Sequence, residues 1–219
     1  MWGRRPAGLA FLQDARRHGD VCQPLDWIPE VYHPVGGGEA VIPDAVLFYR
    51  SCGDAGGAML RAFVEVDRAT MGPERLAAKL TAYARLHRYV PTPVAQRRSP
   101  GQEPQQEEWR RHYPLFPRLL FVLDGTGPAG VETRISALCA AAGNLALAAF
   151  LHDVPVLAGP LSDVLQHGPS APIWQPVHDP DRRVSWMRAH RPSAAAPQPS
   201  SQRDSSTAHA RPWHAEPGP

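Results

Sequence analysis

The chain has 219 residues, of which 43% are hydrophobic, so it is long enough for one domain of ordinary size with a buried core. Its formal net charge of +2 is too small to indicate nucleic-acid binding by itself; recurring arginine pairs could contact phosphates, or simply cover solvated faces. Three cysteines without CxxC spacing argue against a disulfide framework and a zinc site, and the N-terminus lacks a signal peptide, so we expect a cytoplasmic protein that enters no membrane.

The N-terminal half predicts a helix followed by three strands. Residues 7–18 have apolar positions at helical spacing and a basic last turn, and Gly19 follows them as a helix-stop signal. Residues 25–33 and 40–50 are rich in aromatic and β-branched types and predict strands, the first at a sheet edge because Pro29 lacks a backbone donor. A third strand is predicted at 60–68 after a glycine-rich connection, which gives an antiparallel meander.

The next segments predict a helix, a strand and a second helix. Residues 73–88 carry a proline at the first helical position, where it is favoured, and apolar residues at helical intervals. A proline- and charge-rich loop is expected at 91–112, a short buried strand at 117–125, and a long helix at 131–151 that Gly143 could interrupt. The predicted order is therefore α-β-β-β-α-β-α.

Composition divides the chain into three parts. Residues 1–158 are predicted to form an α/β domain with a mixed sheet flanked by helices. Residues 159–190 are expected to be a peripheral extension that adds a strand or covers a sheet edge. Residues 191–219 are rich in proline, serine and alanine and have too little apolar surface to pack, so we predict a disordered tail.

Two acidic residues interrupt the apolar third strand. Glu65 and Asp67 are two positions apart, so they point to the same face of the sheet. Carboxylates in such a place are costly unless they meet a metal, a cation or hydrogen-bond donors. Asp44, on the neighbouring strand, could add a third carboxylate near Glu65. Oxygen ligands that converge in this way suit Mg²⁺, which could orient a phosphate and activate water.

Lys79 is the only lysine in the chain and lies on the helix that follows the acidic strand. Its ammonium could reach the carboxylates or a scissile phosphate. The structural alternative is that Glu65 or Asp67 forms a salt bridge with Lys79 or Arg68 and thereby locks the strand to the helix. The candidate catalytic residues are Asp44, Glu65, Asp67 and Lys79, and the candidate metal ligands are Asp44, Glu65 and Asp67.

Four blocks of this sequence resemble the replication-relaxation family of actinobacterial and plasmid-borne proteins: Asp26-Trp27 with Glu30, Ile42-Pro43-Asp44-Ala45-Val46, residues 63–70, and residues 76–80 with Tyr83. The resemblance covers residues 25–89. It implies a role in plasmid or mobile-element replication and DNA relaxation, with DNA or a replication protein as the partner. Members of the family typically carry an N-terminal winged-helix DNA-binding domain, and this chain is expected to begin after it.

A broader resemblance is to the PD-(D/E)XK nucleases, whose restriction-endonuclease-like core has the order αβββαβ. It implies that Asp44 is the aspartate of the motif and Glu65 the second acid. Asp67 stands where the motif has a lysine, and Lys79 would take over that role.

Three functions stay open from the sequence. The first is a Mg²⁺-dependent DNA-nicking enzyme. The second is a degenerate, non-cleaving module that binds DNA or a replication protein, which we favour because Asp67 adds negative charge where the phosphate must approach. The third is a truncated mobile-element remnant without function. The sequence indicates no oligomeric state.

Overall fold

The structure is a computed structural model that describes residues 4–53, 57–69, 72–91, 106–125 and 127–188. The predicted loop at 91–112 lies partly outside these residues. The predicted disordered tail at 191–219 lies wholly outside them.

The described residues form five α-helices and eight strands. The helices are α1 (Arg4–His18), α2 (Pro73–Arg88), α3 (Gly127–Ala142), α4 (Ala148–Asp153) and α5 (Leu161–His167). The strands are β1 (Trp27–Pro29), β2 (His33–Pro34), β3 (Ala40–Val41), β4 (Ala45–Ser51), β5 (Ala58–Asp67), β6 (Arg118–Leu123), β7 (Val156–Pro160) and β8 (Gln175–Pro176).

Six of the strands form one mixed sheet in the order β1-β4-β5-β6-β7-β8. β4 runs antiparallel to both of its neighbours, β1 and β5, as the predicted meander requires. The strands β5, β6 and β7 are parallel, and β8 is an antiparallel edge strand. β2 and β3 pair separately as a small ribbon. The predicted α/β fold class, a mixed sheet flanked by helices, is confirmed.

Helices cover both faces of this sheet. Phe63 and Phe121 face the core beneath α2 and α3, whereas Val64 and Val122 face the core beneath α1 and α5. This alternation follows from the strand period of two residues. β5 and β6 lie in the middle of the sheet, and the two acidic residues near the end of β5, Glu65 and Asp67, are buried.

The region after residue 123 holds one strand that the sequence analysis did not identify. β7 is a short buried strand that passes through residue 158, where the predicted α/β domain ends. The long helix predicted at 131–151 is interrupted at Gly143, as expected, and continues as a 3₁₀ turn and α4.

In the described part of the chain, no single helix is long and apolar enough to cross a membrane. α3 and the segment Leu145–Asp153 reach that length and apolar composition only when taken together, and they are bent by 82° relative to each other.

Candidate functional site

Glu65 lies in the central strand β5, beneath α2. The residue is 1% exposed, although glutamate is rarely buried without partners. α2 begins at Pro73, behind Gly72 as N-cap, and presents Lys79 and Tyr83 one turn apart. Residues four apart lie on the same side of a helix, so both side chains reach down to the sheet at Glu65.

Both oxygens of the Glu65 carboxylate accept hydrogen bonds from α2. The Tyr83 hydroxyl donates to Oε1 at 2.6 Å, and the Lys79 ammonium donates to Oε2. The Lys79 side chain is 29% exposed, so the ion pair sits at the margin of the core. For Glu65 and Lys79, the structure has the salt bridge between strand and helix that the sequence left open as an alternative.

The electrostatics of this group are dominated by burial. Loss of solvent raises the pKa of Glu65 above its ordinary value, against the opposing effects of the Lys79 charge and of the hydrogen bonds from Lys79 and Tyr83. The nearby carboxylate of Asp44 raises it further. Burial, together with the charge of Glu65, raises the pKa of Tyr83 well above its ordinary value, so the phenol stays a donor.

Asp44 lies beside Glu65, as predicted. It directly precedes β4, whose first residue Ala45 pairs with Val64 on β5. The half-buried Asp44 accepts a hydrogen bond from the backbone N–H of Val66 through Oδ2 at 2.7 Å. Asp44, just before β4, and Lys79, on α2, therefore both lie near Glu65 on β5.

Asp67 shares the face of β5 with Glu65 but has a different partner. Its Oδ2 lies 2.7 Å from Nε of Arg134 on α3, at ion-pair distance but without the angle of a hydrogen bond. Both side chains are buried, with 0% of the Asp67 side chain and 10% of the Arg134 side chain exposed. The pair therefore connects β5 to α3, and Arg134 takes the place that the sequence analysis gave to Lys79 or Arg68.

The three acids, as arranged, do not fit a Mg²⁺ ion. Among the described residues, no group of three or more His, Cys, Asp or Glu side chains is placed to hold a metal. Glu65 already accepts from two donors and Asp67 faces a guanidinium. Mg²⁺ usually keeps several of its waters, for which the buried Glu65 carboxylate leaves no room. Mg²⁺ binding stays a prediction, and it requires Glu65 to separate from Lys79.

Sequence reasoning missed Arg134 entirely. The available signal was weak: Arg134 and Glu132 are the two charges in the otherwise uncharged first half of the helix predicted at 131–151, just as Glu65 and Asp67 interrupt their apolar strand. Tyr83 was recognised on the packing stripe of α2, but its hydroxyl was not assigned to the carboxylate.

The family model for replication-relaxation proteins matches residues 4–98. These residues belong to the replication-relaxation family. The match includes the resemblance seen over residues 25–89, which is thereby confirmed. All four predicted site residues lie within the replication-relaxation segment, whereas Arg134 lies beyond it. Neither a curated protein nor a solved structure matches the chain significantly.

Proposed function

We propose that this protein takes part in plasmid or mobile-element replication or DNA relaxation as a module that binds DNA or a replication protein without cleaving DNA. The match of residues 4–98 to the replication-relaxation family supports a role in replication or DNA relaxation. The bonding of Glu65 supports the absence of cleavage. The charge of α2 supports DNA as the partner.

A nuclease-like scaffold is part of the proposal. The main-sheet elements up to residue 123 follow the order α-β-β-β-α-β, with the last strand parallel to β5. Asp44, Glu65 and Lys79 meet at this sheet, as the acids and the lysine of a PD-(D/E)XK site would. Both features support a scaffold related to that of these nucleases.

The occupied carboxylate of Glu65 is the observation that carries the non-cleaving function. A metal-dependent hydrolase needs carboxylate oxygens free for the metal and space for an attacking water. Here, Lys79 and Tyr83 take both oxygens of Glu65 and α2 covers them. With Asp67 bound to Arg134, the protein's own groups compensate both acids of β5.

The outer face of α2 supports DNA as the binding partner. This helix has four basic residues and one acidic residue, Glu74. Arg75, Arg85 and Arg88 are exposed, although Arg85 also pairs with Glu39 at 2.6 Å. Exposed arginines on one helix can neutralise phosphates without reading the sequence of bases.

Two assays on the purified protein test this function. Supercoiled plasmid with Mg²⁺ or Mn²⁺ is expected to stay intact with the wild type and with the Asp44→Ala/Glu65→Ala variant. A labelled DNA duplex is expected to bind, with an affinity that falls as salt rises and falls further in an Arg75→Ala/Arg88→Ala variant. Arg16→Ala, an exposed change on α1, is the matched control. No DNA binding at low salt would leave a replication protein as the partner.

The second candidate is a Mg²⁺-dependent DNA-nicking enzyme, favoured by the convergence of Asp44, Glu65 and Lys79. It predicts nicking by the wild type that the Asp44→Ala/Glu65→Ala variant lacks. It also predicts Mn²⁺ binding in calorimetry that disappears in Glu65→Ala. Nicking that depends on Asp44 and Glu65 would contradict the non-cleaving module, whereas Mn²⁺ binding without nicking would not.

A further inference from the structure

A cavity of about 470 Å³ lies where the parallel strands β6 and β7 end. Leu123 and Pro160, the last residues of these strands, line it together with the first residues of α3. Ligands of open α/β sheets typically bind at the carboxyl ends of parallel strands, and the volume is that of a small-molecule site. The cavity lies outside the segment of residues 4–98.

The polar lining of this cavity is mainly acidic. Asp124, Glu132 and Asp163 contribute carboxylates, and Arg183 is the one basic residue that lines the cavity in the described part of the chain. None of the three acids forms an ion pair with another described residue, and the Arg183 guanidinium donates to the carbonyl oxygens of Pro180 and Arg182. The cavity therefore has a net negative charge that the described side chains do not compensate.

Gln175 supplies a buried acceptor at the same place. It is 4% exposed and lines the cavity from the edge strand β8. Its Nε2 donates weakly to Sγ of Cys139 at 3.8 Å, while its Oε1 has no hydrogen-bond partner among the described residues. A buried acceptor without a donor is costly, and a ligand donor would remove that cost.

Helix stabilisation does not explain this set of residues. Acidic side chains favour the N-terminus of a helix, which applies to Asp163 in the first turn of α5. Glu132 lies in the second turn of α3, beyond the range of that effect, and Gln175 is not on a helix. The remaining walls include the apolar residues Val131, Ile135 and Ile173.

We propose that this cavity binds a guanidinium or ammonium group carried on an apolar stem. Such a group has donors only, which matches the three carboxylates and the Gln175 Oε1, and the stem packs against the apolar walls. A phosphate or carboxylate ligand would instead face three negative charges. The cation can come from a free amine or from an arginine side chain of a partner protein. The inference does not depend on the proposed function.

Calorimetry with the full chain at low salt tests the proposal with three probes. Agmatine represents a free cation, and the blocked peptide acetyl-Ala-Arg-Ala-amide represents an arginine of a partner. The same peptide with citrulline has the shape of arginine without its charge. Binding of agmatine alone would identify a free amine as the source, and binding of the arginine peptide would identify a partner side chain; either result supports the site. Equal binding of the citrulline peptide, or no binding of agmatine and the arginine peptide, would overturn it.

Variants locate the binding in the cavity. Glu132→Gln/Asp163→Asn is expected to weaken the affinity for the binding probe about tenfold or more, since two ion pairs are lost. Glu74→Gln, an acid exposed on α2, is the control and is expected to leave the affinity unchanged. Glu132 is exposed, so Glu132→Gln alone serves if the double variant does not fold. Unchanged binding in a folded cavity variant would overturn the proposal.

Discussion

Glu65 shows how a single carboxylate can connect the centre of a sheet to a helix. Burying it costs free energy because it loses water, and Lys79 and Tyr83 offset that cost through its two oxygens. If one donor is removed, the buried charge lacks compensation. If both the charge and its partner are removed, much of the cost disappears as well.

Replacing Lys79 with methionine is expected to lower the free energy of unfolding at pH 7 by about 2–3 kcal/mol, because it leaves Glu65 buried without its cation. Adding Glu65→Gln to that chain is expected to restore most of the loss. Urea unfolding measures both changes. Arg75→Met, on the exposed side of the same helix, is the control and is expected to change stability by less than about 0.5 kcal/mol. Simple additivity of the two single variants would contradict the pairing.

The raised pKa of Glu65 predicts a defined dependence of stability on pH. Because its pKa in the folded protein lies above the ordinary value of 4.5, the folded protein keeps this proton to a higher pH than the unfolded chain does. The resulting stabilisation is complete below pH 4.5 and is lost as the pH rises through the folded-state pKa. The wild type is therefore expected to lose stability relative to Glu65→Gln as the pH rises above 4.5 in urea titrations. A difference that rises with pH would show that the folded-state pKa is lowered instead.

The turn after β6 sets the relation between β5, β6 and α3. The N–H of Asp124 donates to the carbonyl of Asp67 at 2.8 Å, which brings the ends of the two strands together. Gly125 follows with φ +95°, and a Cβ on it would lie 2.9 Å from the carbonyl oxygen of Arg68. Only glycine fits this turn without moving the backbone.

Gly125→Ala is expected to cost about 3 kcal/mol or more, since strain from the positive φ adds to a contact with backbone that cannot rotate away. Gly37→Ala is the matched control. Gly37 has φ +62° but no atoms within 4 Å of an added Cβ, so only the cost of the backbone angle, about 1 kcal/mol, is expected there. Thermal or urea unfolding compares the two variants. Equal losses would show that the approach to Arg68 does not matter.

Elements with a clear local pattern could be predicted from the sequence. β5 is a mainly apolar run after a glycine-rich connection, and α2 has a proline start and an apolar stripe. Both were found within a few residues of their observed ends. β7 was missed because a five-residue buried strand has no period that separates it from a helix end. Asp44 could be placed beside Glu65 because antiparallel neighbours fix the register, whereas the Arg134 partner of Asp67 depends on how α3 packs, which local pattern does not contain.

The whole molecule depends on residues beyond the family match. Residues 4–98 include β1, β4 and β5 but not β6, which pairs with β5, or β7, which pairs with β6. Residues of β6 and β7 complete both cores. A chain that ends at residue 98 would leave the long edge of β5 unpaired and both of its faces partly uncovered.

A chain cut after residue 98 is therefore expected to show no cooperative thermal transition and to associate in size-exclusion chromatography. A chain cut after residue 190 lacks only the segment whose composition predicts no packing. Its melting temperature is expected to lie within about 2 °C of that of the full chain, because removing this segment leaves the core unchanged. Cooperative melting of the 98-residue chain would mean that β1, β4, β5 and the helices of this segment form an independent unit.

The parallel pairing of β5 with β6 also has a consequence for synthesis. β5 ends at Asp67 and β6 begins at Arg118, so a ribosome adding 5–20 residues per second needs roughly 3–10 s to pass from one strand to the other. During those seconds, the nascent β4–β5 hairpin has Phe63 on one side and an unpaired strand edge beside it. α2 is made first in this interval, and Lys79 can neutralise Glu65 before the sheet is complete. The salt bridge that blocks the Glu65 carboxylate in the folded protein would then also compensate its charge in the nascent chain.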